Sequence, residues 1–143
     1  MALKATLSIT GHGTSYSVVE CEYKLSQAVN IDGIPCDGVR GGKIIVTIAA
    51  PEKSNFLHEW MLNDHRQYDG SIKLDVNYNR LSRNATRTIE FHNAYCIELY
   101  EYFNNQNSDM MTMRLTLYAG AIFFVEPTGM AVGLDNVHKQ VVI

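Results

Sequence analysis

Five histidines are the side chains of this 143-residue chain best suited to acid–base or metal chemistry: His12, His58, His65, His92 and His138. His58-Glu59 followed by His65 comes nearest to a metal spacing, because residues seven apart share a helix face. A zinc protease instead needs two histidines one turn apart with the glutamate between them. Neither a cysteine nor a carboxylate completes a recognisable ligand set around this pair, so the histidines read as solvated side chains. The three cysteines, Cys21, Cys36 and Cys96, are odd in number and none is in CxxC spacing. They read as reduced thiols, with Cys21 and Cys96 as small core residues. Cys36 is the one thiol in a flexible setting, and it has no evident neighbouring base. Gly11-His12-Gly13 lacks the third glycine and the following helix of a dinucleotide site, and no serine sits in a GxSxG elbow. Glu98 and Glu101 lie close in one strand but on opposite faces, which weakens a paired-carboxylate mechanism. Asn84-Ala85-Thr86 matches a glycosylation sequon that only a secretory route would use. No catalytic residue, metal set or cofactor motif emerges. The eight tyrosines read as strand packing in preference to a ligand-binding lining.

The composition points the same way. The length fits one domain with a core of its own, and the 46% hydrophobic content is ordinary for a globular protein. A net charge of -3 and 12 scattered Lys and Arg residues disfavour nucleic acid as the main partner. No apolar run approaches the roughly 20 residues of a membrane helix. The N-terminus enters an alternating pattern at once, without the apolar region of a secretory signal. The expectation is a protein made in the cytoplasm that leaves the cell, if it does, by a route independent of signal peptides.

Period-2 alternation dominates the chain, and it marks half-buried strands. Leu3, Ala5, Leu7 and Ile9 alternate with polar residues, and a Gly-rich turn leads to Val19, Cys21, Tyr23 and Leu25 on one face of a second strand. Residues 26–42 read as a long polar loop. Ile44, Val46 and Ile48 share a face, with Ile45 opposite, as in a strand covered on both sides. Residues 54–64 are the one credible helix. Ser54 is its expected cap, and Phe56, Leu57, Trp60 and Met61 form its apolar stripe. Asp69-Gly70 reads as a turn before the alternation of Ile72, Leu74, Val76 and Tyr78. After a polar connector, Ile89, Phe91, Tyr95, Ile97 and Leu99 occupy odd positions of a long strand, with Asn93-Ala94 as a bulge or bend. Residues 104–109 read as a turn before Met111, Met113, Leu115 and Leu117. Residues 121–125 and 141–143 are candidate strands, separated by the turn Glu126-Pro127-Thr128-Gly129. Six to eight strands and one helix, without strand–helix alternation, predict a mainly-β closed or nearly closed antiparallel barrel.

The order of several segments carries a resemblance. Gly41-Gly42-Lys43-Ile44-Ile45-Val46 is followed by Leu57-His58-Glu59-Trp60-Met61 and Asp69-Gly70-Ser71-Ile72. Ile89-Glu90-Phe91-His92-Asn93-Ala94-Tyr95, Tyr100-Glu101-Tyr102-Phe103 and Met110-Met111-Thr112 come later. In this order and spacing, residues 2–119 resemble the Hcp (TssD) tube proteins of type VI secretion systems, in the form found in Bacteroidetes. The resemblance implies an antiparallel two-sheet β-barrel with one short flanking α-helix, spanning residues 1–143 as one domain. It implies homohexameric rings stacked into a tube that a contractile sheath drives out of the cell. Secreted effectors, sheath and spike components would be the partners, with no nucleic acid and no membrane insertion. It implies no enzyme activity and no cofactor. The tail 120–143 is longer than expected for the family.

The loop 26–42 is the expected ring-stacking element, through Asn30, Asp32, Gly33, Asp37 and Arg40; its competing reading is a solvated loop. Phe56, Leu57, Trp60 and Met61 are the expected core of the helix. The polar faces of the Ile72 and Ile89 strands are candidates for the lumen. A monomeric ligand carrier, a phage-type tail tube protein and, more distantly, a small hydrolase are the competing functions. A carrier would stay monomeric around a closed apolar cavity.

Overall fold

The computed structural model describes residues 3–49, 51, 54–77, 84–103, 111–135 and 140–142. Two strands start the chain, β1 (Leu3–Ile9) and β2 (Ser15–Tyr23), and they pair as the expected hairpin. β5 (Lys43–Ala49) lies between β2 and β8 (Thr112–Tyr118), with Ile44, Val46 and Ile48 fully buried. β6 (Tyr68–Asn77) joins β1 to β7 (Asn84–Tyr102). The order β7-β6-β1-β2-β5-β8 closes through β7–β8 into a six-stranded barrel. Closure removes the free edges that an open sheet would expose. Leu7, Ile72, Phe91, Met113, Leu115 and Leu117 are among the side chains that fill the interior.

The barrel closes because β7 changes partners along its length. Its first half pairs with β6 on one edge and with β9 (Ala121–Val125) on the other, and its second half pairs with β8. β8 and β9 thus form one interrupted line, with Tyr118 opposite Tyr95 and Ala121 opposite His92. The break coincides with Asn93, whose φ is +53°, a left-handed conformation that asparagine tolerates better than most residues. The Asn93 N–H donates to Asp69 Oδ1 at 2.8 Å, and the Gly120 N–H points at the His92 and Asn93 carbonyls at 2.9 and 3.2 Å. This is the bend expected at Asn93-Ala94, and it reverses the side-chain phase. Ile89 and Phe91 face the core before it, Ala94 and Cys96 after it. A second irregularity between Cys96 and Glu98 turns Leu99 back inward. Tyr95 and Ile97, expected on the core face with the other odd positions, therefore point away, and Ile97 is 49% exposed.

Other expectations are corrected. Asp69-Gly70 is a bulge within β6, not a turn, because the Asp69 carbonyl accepts from the Thr10 N–H at 2.9 Å and holds the segment in the sheet. The connector expected through residue 87 gives way to strand at Asn84, and residues 78–83 and 104–110 lie outside the described residues, as does His138. The tail adds β9, β10 (Ala131–Asp135) and β11 (Gln140–Val142) to the sheet side by side, so the strand number exceeds the six to eight expected. The turn at 126–129 is present: the Gly129 N–H donates to the Glu126 carbonyl at 2.9 Å.

The helix α1 (Asn55–Leu62) flanks the barrel against β7. Leu57 and Trp60 are fully buried, and Phe56 and Met61 pack at the margin of the core. The helix is too short to be stable alone, so these contacts hold it. The Trp60 indole donates to the Arg66 carbonyl at 3.0 Å, and the Phe56 ring packs at a tilt against His12, 3.8 Å between centroids. Ser54 is the N-cap, but its side chain makes no capping bond. Its backbone carbonyl serves instead, accepting from the Leu57 and His58 N–H groups and lying 2.9 Å from His58 Nδ1.

Candidate functional site

The long loop expected over residues 26–42 is a two-stranded hairpin. β3 (Ser26–Val29) and β4 (Pro35–Arg40) pair with Ser26 opposite Arg40 and Val29 opposite Pro35. The register slips between Gln27 and Ala28, where β4 carries two extra residues, Asp37 and Gly38. Gly38 absorbs the bulge at a φ of +74°, which few other residues adopt. The many polar and turn-forming residues hid this pairing, since they mark loops in sequence. Among the described residues β3 and β4 pair only with each other, and Val39 of β4 packs against the barrel core. Gly41 marks its base: a Cβ there would lie 2.4 Å from the Leu25 side chain.

The tip is a built turn. The Asn30 N–H donates to the Ile34 carbonyl at 2.9 Å, and the Gly33 N–H to the Asn30 carbonyl at 2.9 Å. The Asn30 side chain accepts from the Asp32 N–H at 2.9 Å and the Ile34 N–H at 3.0 Å. Such a side-chain cap mimics a backbone turn and fixes its shape. Gly33 supplies the positive φ, at +80°. Of the residues singled out in the sequence, Asn30, Asp32 and Gly33 come together at this tip. Asp37 and Arg40 lie apart from them on the returning strand.

Sequence reasoning missed the apolar residues of the same element. Val29 is 60%, Ile34 58% and Ile31 fully exposed. The signal was there, in three β-branched residues at 29, 31 and 34 within an otherwise polar stretch. The turn is fixed by its hydrogen bonds and presents isoleucine to water.

Two of the three thiols are buried or half-buried, and Cys36 is exposed. Burial pushes the Cys21 and Cys96 thiols up to about 11, so both are protonated at neutral pH. Burial also raises Tyr16. His92 Nδ1 lies 3.4 Å from Asp69 Oδ2, beside the bend that Asp69 holds. Among the described residues no three His, Cys, Asp or Glu side chains converge as a metal site requires. No described helix is long and apolar enough to cross a membrane.

Residues 1–127 match the family model described as Hemolysin coregulated protein Hcp (TssD). Hcp1 from Flavobacterium johnsoniae is 26% identical, with a TM-score of 0.71 over 90% of this chain and 97% of that one. A type six secretion system protein superposes with a TM-score of 0.81 over 99% of this chain and 100% of that one, at 8% identity. Hcp1 from Salmonella typhimurium gives 0.72 over 99% of this chain and 100% of that one, at 10% identity. No curated protein sequence matches. The family model ends at residue 127, and the matched folds cover 90–99% of the chain.

Proposed function

The chain belongs to the Hcp (TssD) family, and from that premise we propose that the β3–β4 hairpin is the element that joins one ring to the next. The family builds the inner tube of the type VI secretion system from stacked rings, and this chain is such a tube subunit. It is a structural protein, and its partners are copies of itself and the secretion apparatus. Residues 1–143 act as one unit, six to a ring. The tube carries effectors in its lumen and meets the sheath outside and the spike at its end. The helix residues Phe56, Leu57, Trp60 and Met61 keep the flank of each barrel rigid.

The observation that carries the hairpin assignment is its separate pairing combined with its order. Among the described residues it pairs with no barrel strand, yet four hydrogen bonds fix its tip. A solvated loop would need neither. Ring closure and stacking both require heterologous contacts, in which different surfaces of one chain meet. A separately paired, ordered hairpin is one half of such a contact.

Deleting residues 29–39 tests this. Light scattering after size exclusion should give six protomers for the deletion, and six times 16.1 kDa or multiples of it for the intact chain. Electron microscopy should show stacks for the intact chain and separate rings for the deletion. Stacks that persist in the deletion refute the assignment, and a stable monomer of the intact chain refutes the ring itself.

A further inference from the structure

Three Asp-Gly pairs occur in the chain: Asp32-Gly33, Asp37-Gly38 and Asp69-Gly70. Such a pair can cyclise, because glycine has no Cβ to crowd its amide nitrogen as that nitrogen approaches the aspartate side chain. The fold holds the three pairs differently. Asp69-Gly70 is locked in β6. Asp69 Oδ1 accepts from the Asn93 N–H at 2.8 Å, and Oδ2 lies 3.4 Å from His92 Nδ1. Gly70 is buried and paired on both sides, opposite Ile9 and Phe91. Asp37-Gly38 forms the bulge of β4, and the pairing of Cys36 with Ala28 and of Val39 with Gln27 holds it at either end. Asp32-Gly33 has neither restraint. Both residues are exposed at the tip, and a Cβ on Gly33 would meet nothing within 4 Å. Among the described residues the Asp32 carboxylate has no hydrogen-bond or ion-pair partner. One bond holds the Gly33 N–H, to the Asn30 carbonyl at 2.9 Å. An exposed bond of this kind opens readily, because water replaces the partner.

We propose that Asp32 is a site of spontaneous isomerisation to isoaspartate, and the first of the three pairs to react in the folded chain. The Gly33 amide nitrogen attacks Cγ of Asp32 in its protonated carboxyl form. The N–Cγ bond forms and a Cγ–O bond breaks. The oxygen leaves as water, with the amide proton and the carboxyl proton, and a five-membered cyclic imide remains. Water then opens the imide at either carbonyl. Opening at Cγ restores aspartate, and opening at the main-chain carbonyl routes the main chain through the side chain. One water leaves and one enters, so the sum is an isomerisation that needs no oxidant or cofactor. The product has one more methylene in the main chain between Ile31 and Gly33, and the former main-chain carbonyl becomes a carboxylate side group. The Gly33 and Ile34 bonds to Asn30 are set for the normal spacing, so the modification also unlocks the tip. The reaction requires only that the tip lie in water, and it does not rest on the stacking assigned above.

Peptide mapping of the full-length chain, kept too dilute to stack and incubated at physiological temperature, tests the assignment. Trypsin releases Leu25–Arg40, which carries Asp32 and Asp37, and Gln67–Lys73, which carries Asp69. A second chromatographic form of Leu25–Arg40 should accumulate at unchanged mass, and electron-transfer fragmentation should place isoaspartate at residue 32. Gln67–Lys73 should stay single. In urea all three pairs should isomerise at rates within a few fold of one another, because the order in the folded chain is set by the fold. Asp32→Glu should remove the residue-32 form, since ring closure then needs six members. Asn30→Ala loosens the turn and should speed the growth of that form by up to about tenfold. Isoaspartate at residue 37 or 69 ahead of residue 32 in the folded chain overturns the proposal. A Leu25–Arg40 peptide that stays single while the urea-unfolded chain converts overturns it equally. An unchanged rate in Asn30→Ala overturns the control assigned to the turn.

Discussion

Asn30→Ala separates the order of the hairpin tip from the stability of the barrel. The substitution removes the acceptor for the Asp32 and Ile34 N–H groups, at 2.9 and 3.0 Å, and leaves every other contact of the turn in place. A hydrogen bond contributes about 0.5–1.5 kcal/mol net, and at an exposed site water replaces the lost partner. The two together are therefore worth about 1–2 kcal/mol of tip order, a factor near ten in the population of the formed turn. A partner that binds only the formed turn loses affinity by up to the same factor. The barrel should not register the change, because among the described residues β3 and β4 form no ladder with it and the Val39 contact with the core lies away from the tip. Three readings follow from one variant. The Asp32 and Ile34 amides should exchange faster, the half-assembly concentration should rise up to about tenfold, and the denaturation midpoint followed by Trp60 fluorescence should hold. Asn30→Asp keeps a side-chain acceptor and should stay near the parent in all three. Faster exchange with unchanged assembly would show that the formed turn is not what the partner recognises. A lowered barrel midpoint would show that the hairpin is not an independent unit.

Further outcomes follow from the barrel and its helix. Gly70→Ala should destabilise by about 1–3 kcal/mol, because its Cβ would sit 2.6 Å from both the Phe91 ring and the Ser8 carbonyl. Gly13→Ala, with nothing within 4 Å, should change stability by less than about 1 kcal/mol in the same urea titration. Trp60→Phe removes the indole donor to the Arg66 carbonyl and part of a fully buried ring. It should lower stability by about 1–3 kcal/mol without moving the ring mass. Cys21 and Cys96 ionise near 11 in the folded chain against 9.0 in the reference state, so the fold retains protons that the unfolded chain releases. Their contribution is complete below about pH 9 and is lost as pH rises toward 11. Denaturation midpoints across this window should fall more gently in a Cys21→Ala, Cys96→Ala variant, and equal slopes would refute the assignment.

The strands that face the core on one side were legible because their alternation survives in the fold. Ile44, Val46 and Ile48 are buried as their spacing required, and so are Leu7, Ile9 and Ile72. Legibility failed where backbone irregularity resets that alternation. The Asn93 bend and the irregularity after Cys96 shift the phase of β7 twice within six residues, and nothing in the side-chain pattern of 94–99 announces either shift. Asp69-Gly70 failed for the opposite reason. Its residue types favour a turn, but the Asp69 carbonyl and carboxylate bond to Thr10 and Asn93, which are distant in sequence. The Ser54 cap failed because a serine in the right place says nothing about whether its hydroxyl or its carbonyl meets the free N–H groups.

The hairpin was located in sequence but misread, and the misreading has a physical cause. Pattern reading asks which residues can bury themselves within one chain, and by that test 26–42 is a polar loop interrupted by stray isoleucines. The structure removes the alternative in which those isoleucines turn inward. Ile31 is fully exposed on a turn that four local hydrogen bonds hold in shape. Val19, Leu25 and Met130 likewise remain in water although the barrel next to them is closed. Apolar residues that a finished fold leaves outside on two separate rigid features are not defects of its core.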